Sequence, residues 1–153
     1  MPEAQTLNPA YLAGLYQLVN SSPFPVHLPF RLVSLDLTCA TIELEVAECH
    51  LQPFRIVHGG VIATLIDTAT FWAAFAPLPE ADGLVNVDLK LNYLSAVRSG
   101  RLTATGRLIR GGRTISYAEA AITGPDGEMV AHGTSTLMAL PGKGLPSSVR
   151  KFL

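Results

Sequence analysis

Residues 59–76 limit the possible folds of this chain more than any other stretch, because they are apolar on nearly every side of a helix. Such a helix must be buried on most sides, which a sheet wrapped around it would achieve. Pro77 and Pro79 end the helix. Asp67 lies near its middle, and a carboxylate at the centre of a bilayer costs several kcal/mol, so a membrane-buried helix is not expected.

The rest of the chain predicts mainly strands. Two alternating stretches lie between Phe30 and Glu48, and four more follow the central helix: LVNVDLKLNYLSA, RLTATGRLIR, TISYAEAAIT and EMVAHGTSTLMAL. We expect the last four to form an antiparallel meander. In the first of them one face should be dry, and its apolar residues are Val85, Val87, Leu89, Leu91 and Tyr93.

The chain ends complete an α+β prediction of five to six strands around a long helix. An N-terminal helix is expected over about residues 8–20, with Asn8 as N-cap and Pro9 at its first position. The tail after Pro141 is expected to be loosely ordered. With 153 residues and no visible linker or repeat, the sequence predicts a single domain over residues 1–153.

The composition limits the possible binding partners and the possible cellular compartment. Only 15% of residues are charged, so we expect oligomerisation to cover apolar surface. A net charge of -1 gives no basic footprint for nucleic acid. Cys39 and Cys49 are too few for a disulfide scaffold, and Met1–Leu12 lacks the pattern of a secretory signal. We therefore expect a cytoplasmic protein with reduced thiols.

The start of the central helix, His58-Gly59-Gly60, can polarise a carbonyl oxygen. The first N–H groups of a helix have no partner within the helix and carry the positive end of its dipole. The two glycines let a ligand approach this backbone closely. A thioester carbonyl placed there would find an oxyanion hole.

Asp67 lies two helical turns further on, roughly 11 Å along the axis, so it cannot easily serve the same helix end. If both are to meet at one substrate, the carboxylate should come from a second copy of the chain, packed antiparallel across a two-fold axis. The alternative is a structural carboxylate, but an Asp in so apolar a helix is costly unless it has partners.

Other side chains leave alternatives open. His58 could orient the turn before the helix rather than react, and Phe71, Trp72 and Phe75 could pack in a core or interface rather than line an acyl pocket. Cys49, His50 and His58 raise zinc, but CxxC and HExxH spacings are absent from the sequence, so no metal or other cofactor is expected. The sequence has no GxSxG motif for a serine hydrolase.

Two motifs together resemble a known family. The run HGGVIATLIDTAT, followed about twenty residues later by NVDLKLNYLSAVRSG, is similar to the phenylacetyl-CoA-type hotdog thioesterases of the 4-hydroxybenzoyl-CoA thioesterase superfamily. The resemblance spans about residues 30–140 and implies the hotdog fold, an acyl-CoA substrate and a dimer as the catalytic unit. The family commonly forms tetramers.

The resemblance also assigns roles. It implies that Gly59 supplies the backbone donor and that Asp67 acts as general base or nucleophile, which the sequence does not decide. Gln52 stands where relatives often have Asn, Asn86 where they have Ser or Thr, and Arg55 where Gly is common. The candidate catalytic residues are Asp67, Gly59, Gln52 and Asn86, and the candidate substrate-binding residues are His58, Gly60, Arg110, Gly112, Arg113 and Phe71, with the two arginines near the CoA phosphates.

Three functions compete at this point. Hydrolysis of an acyl- or arylacyl-CoA thioester leads, because it accounts for Gly59, Asp67 and their spacing. A non-catalytic acyl-CoA sensor or carrier could use the same cavity, because fold does not fix function. A hydratase on the same fold would need a differently spaced Asp and His pair.

Overall fold

The computed structural model describes residues 5–153 and confirms the α+β architecture. Residues 1–4, part of the segment expected to lack a secretory signal, lie outside it. Within residues 5–153, six strands form one antiparallel sheet, and a long helix packs against its face. Two further α-helices and a short 3-10 helix, Glu48–His50, complete this part of the chain. The elements are α1 Pro9–Ser21, α2 Pro23–His27, β1 Phe30–Leu35, β2 Cys39–Glu45, α3 Gly59–Phe75, β3 Gly83–Tyr93, β4 Arg101–Arg110, β5 Ile115–Thr123 and β6 Met129–Leu140.

The N-terminal helix begins as its sequence predicts. The Asn8 side chain accepts a hydrogen bond from the Ala10 N–H at 3.0 Å, which satisfies one of the free donors of the first turn. The short helix α2 was not expected, because a proline such as Pro23 commonly ends a helix. Proline is equally suited to the first position of a new helix, where it stands in α2.

Helix α3 is the centre of the core. Leu65, Ile66 and Ala69 are fully buried against the sheet. In β4, Gly106 allows close contact, because a Cβ there would collide with the Ala69 carbonyl. The helix has 17 residues, and among residues 5–153 no helix is both long and apolar enough to span a membrane.

The strand order corrects the expected meander. The sheet runs β1-β2-β4-β5-β6-β3, so of the four strands after α3 only β4, β5 and β6 follow one another as neighbours. The chain leaves β2, forms α3 across the face of the sheet, and enters β3 at the far edge, where β3 pairs with β6. The long helix α3 lies between β2 and β3 in the chain and separates them in the sheet. The alternation of apolar and polar residues within a strand does not indicate where that strand lies in the sheet.

Strand β3 also differs from the predicted dry face. Its register shifts between Asn86 and Asp88, so the alternation changes sides within the strand. Before the shift Asn86 faces α3, while Val85 and Val87 are 40% and 58% exposed. Because β3 pairs only with β6 among the described residues, it leaves an open edge that carries exposed apolar side chains.

The C-terminal tail is held in place, contrary to the expectation of a loose segment. Lys151 is only 1% exposed, and its ammonium group donates to the carbonyls of Phe75 and Leu78 at 2.8 and 2.9 Å. It also lies 4.0 Å from the centroid of the Phe75 ring. A cation at the C-terminal end of α3 satisfies carbonyls that have no partner within the helix. Lysine is usually exposed, so the sequence did not indicate this anchor.

This anchor should make stability depend on pH. Burial lowers the pKa of Lys151 to about 8, from an ordinary value of 10.5. Between these values the unfolded chain binds one more proton than the folded chain, so the free energy of unfolding rises with pH. Between pH 8 and 10.5, the free energy of unfolding of the native protein, measured in urea, should rise by about 3 kcal/mol more than that of Lys151→Met. Lys143 is exposed, so Lys143→Met is the control and should show the same pH dependence of unfolding as the native protein. If Lys151→Met showed the same pH dependence as Lys143→Met, the prediction would be contradicted.

Candidate active site

The first turn of α3 presents one free backbone donor. His58 caps the helix, and its Nδ1 accepts the Gly60 N–H at 2.8 Å. The Gly59 N–H, in contrast, donates to no acceptor within residues 5–153. Of the two glycines considered in the sequence, Gly59 therefore supplies the available donor, while His58 and Gly60 satisfy each other.

A cleft of about 400 Å³ lies beside this donor. Its polar lining includes Gln52, Gly59 and Tyr93, and its apolar lining includes Ile56, Val57, Ile62 and Val97. The Tyr93 hydroxyl donates to the Gly59 carbonyl at 3.2 Å, so the ring stands over the start of the helix. A ligand in this cleft would meet a backbone N–H at the positive end of a helix dipole.

Gln52 is positioned by a tight turn. Its side-chain oxygen accepts the Phe54 N–H, and its backbone N–H donates to the Ile56 carbonyl at 2.9 Å. The side-chain NH₂ group makes no hydrogen bond within the described part of the chain, so it remains free to donate to a ligand. Arg55 has a φ of 66°, a conformation that glycine adopts at lower cost.

Asp67 and Asn86 form the second group of site residues. The Asn86 NH₂ donates to one Asp67 carboxylate oxygen at 2.7 Å. Burial raises the pKa of Asp67 above its ordinary range, and this hydrogen bond offsets part of the rise. The Asn86 side-chain oxygen is buried and has no hydrogen-bond partner within residues 5–153. A buried carbonyl oxygen without a donor is costly, so Asn86 is held in place by its hydrogen bond to Asp67 at the expense of this second group.

The two groups do not meet within one chain. Asp67 follows Gly59 by eight residues, which is about 12 Å along the helix axis, and it does not line the Gly59 cleft. Gly59 and Gln52 therefore line the cleft, whereas Asp67 and Asn86 form a separate pair on α3 and β3. This separation is the reason for expecting that a second copy of the chain supplies the carboxylate.

The arginine hairpin lies far from the cleft of its own chain. The cleft is next to Val97 and Val130, which precede β4 and begin β6. Arg110 ends β4, and Gly112 and Arg113 lie in the turn after it. Arg110 follows Arg101 by nine positions along the strand, about 30 Å. The structure does not bring this hairpin to Gly59 within one chain.

Comparison with known proteins identifies the family. The thioesterase superfamily profile matches residues 54–131, slightly more than half of the chain. The chain belongs to the thioesterase superfamily. This confirms the family resemblance and the prediction of a thioesterase.

Relatives and solved structures agree with this assignment. Acyl-coenzyme A thioesterase 13 of Mus musculus is 30% identical to this thioesterase over 96 residues, 61% of this chain and 68% of the mouse protein. The 1,4-dihydroxy-2-naphthoyl-CoA hydrolase of Listeria monocytogenes is 30% identical over 93 residues, 61% and 76% of the two chains. The crystal structure of a Haemophilus influenzae thioesterase superposes with a TM-score of 0.80 at 26% identity, covering 89% and 94%. The hotdog fold is thereby confirmed.

Sequence reasoning about this thioesterase missed two residues of the cleft region. Tyr93 was assigned only to the dry face of a strand, although an aromatic residue at a strand end beside Gly59 shapes the cleft. Arg98 donates to the carbonyls of Phe54 and Arg55 at 3.2 and 3.1 Å, and so fixes the turn that carries Gln52. Both contacts join segments more than thirty residues apart, which the local pattern cannot reveal.

Phe71 belongs to an aromatic cluster on α3 of this thioesterase. Its ring stacks on Phe75 at 5.9 Å and meets the Trp72 ring edge-on at 5.0 Å. Trp72 also lines a separate apolar cavity on the side of α3 that faces α1 and α2. Packing within the cluster accounts for the position of Phe71.

Proposed function

We propose that this protein hydrolyses acyl-CoA thioesters at two equivalent sites, each built from Gly59 of one copy and Asp67 of another. One observation carries the proposal: Gly59, whose N–H has no partner among the described residues, lines a cleft at the start of a buried helix. The relatives named for acyl-CoA and naphthoyl-CoA hydrolysis support CoA thioesters as the substrate class.

The thioester carbonyl oxygen accepts a hydrogen bond from Gly59, and the Gln52 NH₂ group supplies a second donor. As the carbonyl carbon becomes tetrahedral, negative charge develops on this oxygen. A well-aimed backbone donor at that position contributes about 3 kcal/mol of transition-state stabilisation. The helix dipole acts in the same direction.

Asp67 serves as general base in this reaction. A water molecule donates one proton to the Asp67 carboxylate, which the Asn86 NH₂ group holds in position. The water oxygen then attacks the carbonyl carbon while Asp67 takes a proton. The C–S bond breaks, the proton passes to the departing sulfur, and the free acid and CoA result.

A second copy brings the two groups together. The open edge of β3, with Val85 and Val87 exposed, offers both unpaired backbone groups and apolar surface to an identical strand. A two-fold axis at this edge places the helices antiparallel, so Asp67 of each copy faces the cleft of the other. It also turns the Arg110–Arg113 hairpin of one copy towards the cleft of its neighbour, where the arginines can bind CoA phosphates.

Exposed apolar residues and free thiols bear on the larger assembly and on the location. Ile115 and Met138 are exposed on neighbouring strands, which supports pairing of dimers into a tetramer through apolar surface. Cys39 and Cys49 are free thiols, in keeping with a reducing cytoplasm.

The decisive experiment is thiol release from a panel of short-, medium- and long-chain and aryl acyl-CoAs. Turnover of at least one class above the rate in buffer is expected. Binding of acyl-CoA, measured by calorimetry, without any release of thiol would replace hydrolysis with a sensing or carrier role. The panel also identifies the acyl class that the enzyme prefers.

The hydrogen bond from Asn86 should set the pH dependence of the reaction. The acid limb of the kcat/KM profile should lie above the ordinary Asp value of 3.8, because burial raises the Asp67 pKa. Asn86→Ala removes the one interaction that lowers this pKa, so the limb should move to higher pH and kcat should fall about tenfold to a hundredfold. Asn92→Ala on the same strand is the control, and an unmoved limb in Asn86→Ala would contradict the role of Asn86.

A further inference from the structure

We infer that Arg98 is a positioning residue for the reaction: it holds the strained turn that carries Gln52 and so directs the Gln52 NH₂ group at the thioester carbonyl. The inference rests on the proposed function, in which this NH₂ group is the second donor to the carbonyl oxygen. Arg98 contacts neither that oxygen nor the base in this scheme, and it acts only through Gln52.

The Gln52 turn, residues 52–56, is a hairpin whose loop consists of Pro53, Phe54 and Arg55. The Arg55 N–H donates to the Gln52 carbonyl at 2.8 Å, and the Gln52 N–H donates to the Ile56 carbonyl at 2.9 Å. In hairpin loops of this length the third residue commonly adopts the left-handed conformation, which favours glycine. Arg55 stands there with a φ of 66°, which is unfavourable for a residue with a Cβ. The turn is therefore strained at Arg55.

Little side-chain packing holds the Gln52 turn. The Phe54 side chain is 82% exposed. The Arg55 guanidinium forms an ion pair with the Glu48 carboxylate, but both side chains are exposed. An exposed ion pair contributes little stability, because water and salt screen it. The conformation of the turn therefore depends on hydrogen bonds from another segment.

Arg98 supplies these hydrogen bonds. Its Nη1 donates to the Phe54 carbonyl at 3.2 Å and to the Arg55 carbonyl at 3.1 Å. Neither carbonyl accepts a backbone N–H within residues 5–153. The backbone beside Arg98 is fixed as well, because the Val97 carbonyl accepts the Val57 N–H at 2.8 Å. Arg98 forms no ion pair with a carboxylate in the described part of the chain, so its guanidinium is available to these carbonyls.

The conformation of the turn sets the direction of the Gln52 amide. The Phe54 N–H donates to the Gln52 side-chain oxygen, so this oxygen is fixed on the turn and the NH₂ group is left for the cleft that Gln52 lines. If the Phe54 peptide unit rotates, the oxygen loses its donor and the amide can invert. An inverted amide presents an oxygen, not a donor, to the negative charge that develops on the thioester carbonyl.

Arg98→Met should lower kcat about threefold to tenfold and leave KM within about twofold, because the Gln52 donor acts on charge that develops in the transition state. Thiol release from the acyl-CoA preferred in the panel is the measurement. The matched control is Arg101→Met, which breaks an exposed ion pair with Glu45 and should keep both constants. A raised KM with native kcat would show that Arg98 binds CoA phosphates, and would overturn the inference.

A double-mutant cycle tests whether Arg98 acts through Gln52. In a Gln52→Ala background, Arg98→Met should cause no further loss of kcat, because the group that it positions is absent. Equal losses in the native and Gln52→Ala backgrounds would show that Arg98 acts independently of Gln52, and would overturn the inference.

Arg55→Gly tests the strain in the turn. Glycine adopts a φ of 66° at lower cost, so the turn needs less support from Arg98. Arg98→Met should therefore lower kcat by a smaller factor in an Arg55→Gly background than in the native chain. An equal or larger factor in that background would overturn the role of Arg98 in offsetting this strain.

The mobility of the turn can be measured without catalysis. The NMR order parameters of the Phe54 and Arg55 backbone should be about 0.85 in the native protein and in Arg101→Met, and should fall below about 0.6 in Arg98→Met. Unchanged order parameters in Arg98→Met would overturn the inference.

These readouts separate the two proposals. If the unmodified protein releases thiol from no acyl-CoA, the proposed hydrolysis fails, and the order parameters still decide whether Arg98 holds the turn. If hydrolysis proceeds and Arg98→Met has the native kcat, the inference about Arg98 fails and the proposed reaction stands.

Discussion

Asp67→Asn should lower kcat for acyl-CoA hydrolysis about a thousandfold, because general-base catalysis contributes factors of this order. Asparagine keeps the shape of the side chain and can still hydrogen-bond to Asn86, but it cannot take a proton from water. The measurement is thiol release under saturating substrate, with the preferred acyl-CoA from the panel.

The same substitution should not weaken the fold. Burial raises the pKa of Asp67, which means that the ionised carboxylate is less favourable in the folded chain than in water. Its removal at pH 7 should leave the free energy of unfolding unchanged or higher. Asp126→Asn, in an exposed turn, serves as the matched control and should keep native activity. Activity above a tenth of the native rate in Asp67→Asn would exclude this residue as the base.

Mixed dimers should show that each site uses two chains. Gly59→Val fills the cleft beside the donor, and its side chain meets the Tyr93 ring, which is exposed and able to move. Dimers of Gly59→Val alone, or of Asp67→Asn alone, should be inactive. A mixed dimer of the two variants, purified through two different tags, retains one site with both residues intact and should have about half of the native activity.

The reciprocal pairing provides the control. A native chain paired with a chain that carries both substitutions has no intact site if each site spans two chains, so it should be inactive. If the site lay within one chain, the results would be reversed: this second dimer would have half of the native activity and the first would have none.

The local sequence was sufficient to predict helix α3 and to identify Asp67 as a candidate functional residue. The apolar run predicted α3, because no arrangement other than burial suits such a helix, and Asp67 was the residue in it that needed an explanation. The N-cap Asn8 and the adjacent proline likewise identified the start of α1. In each case the determining interactions lie within a few residues of one another.

Long-range contacts were beyond the sequence pattern. The place of β3 at the sheet edge depends on where α3 delivers the chain, and the shift after Asn86 depends on pairing with β6. The tail was predicted to be loose because its partners, the Phe75 and Leu78 carbonyls, lie more than seventy residues earlier. Sequence reasoning missed Tyr93 in the cleft, and Arg98 on the turn that carries Gln52, for the same reason.

The spacing of Gly59 and Asp67 on one continuous helix has a consequence for how such a protein can change over evolutionary time. The loops around the cleft can lengthen or shorten with little effect on the distance from base to donor. A single insertion between these two residues, however, would turn the carboxylate by about 100° and move it 1.5 Å along the axis. Because both sites of a symmetric pair use the same helix, one such event would misalign both at once, and neither copy could compensate for the other.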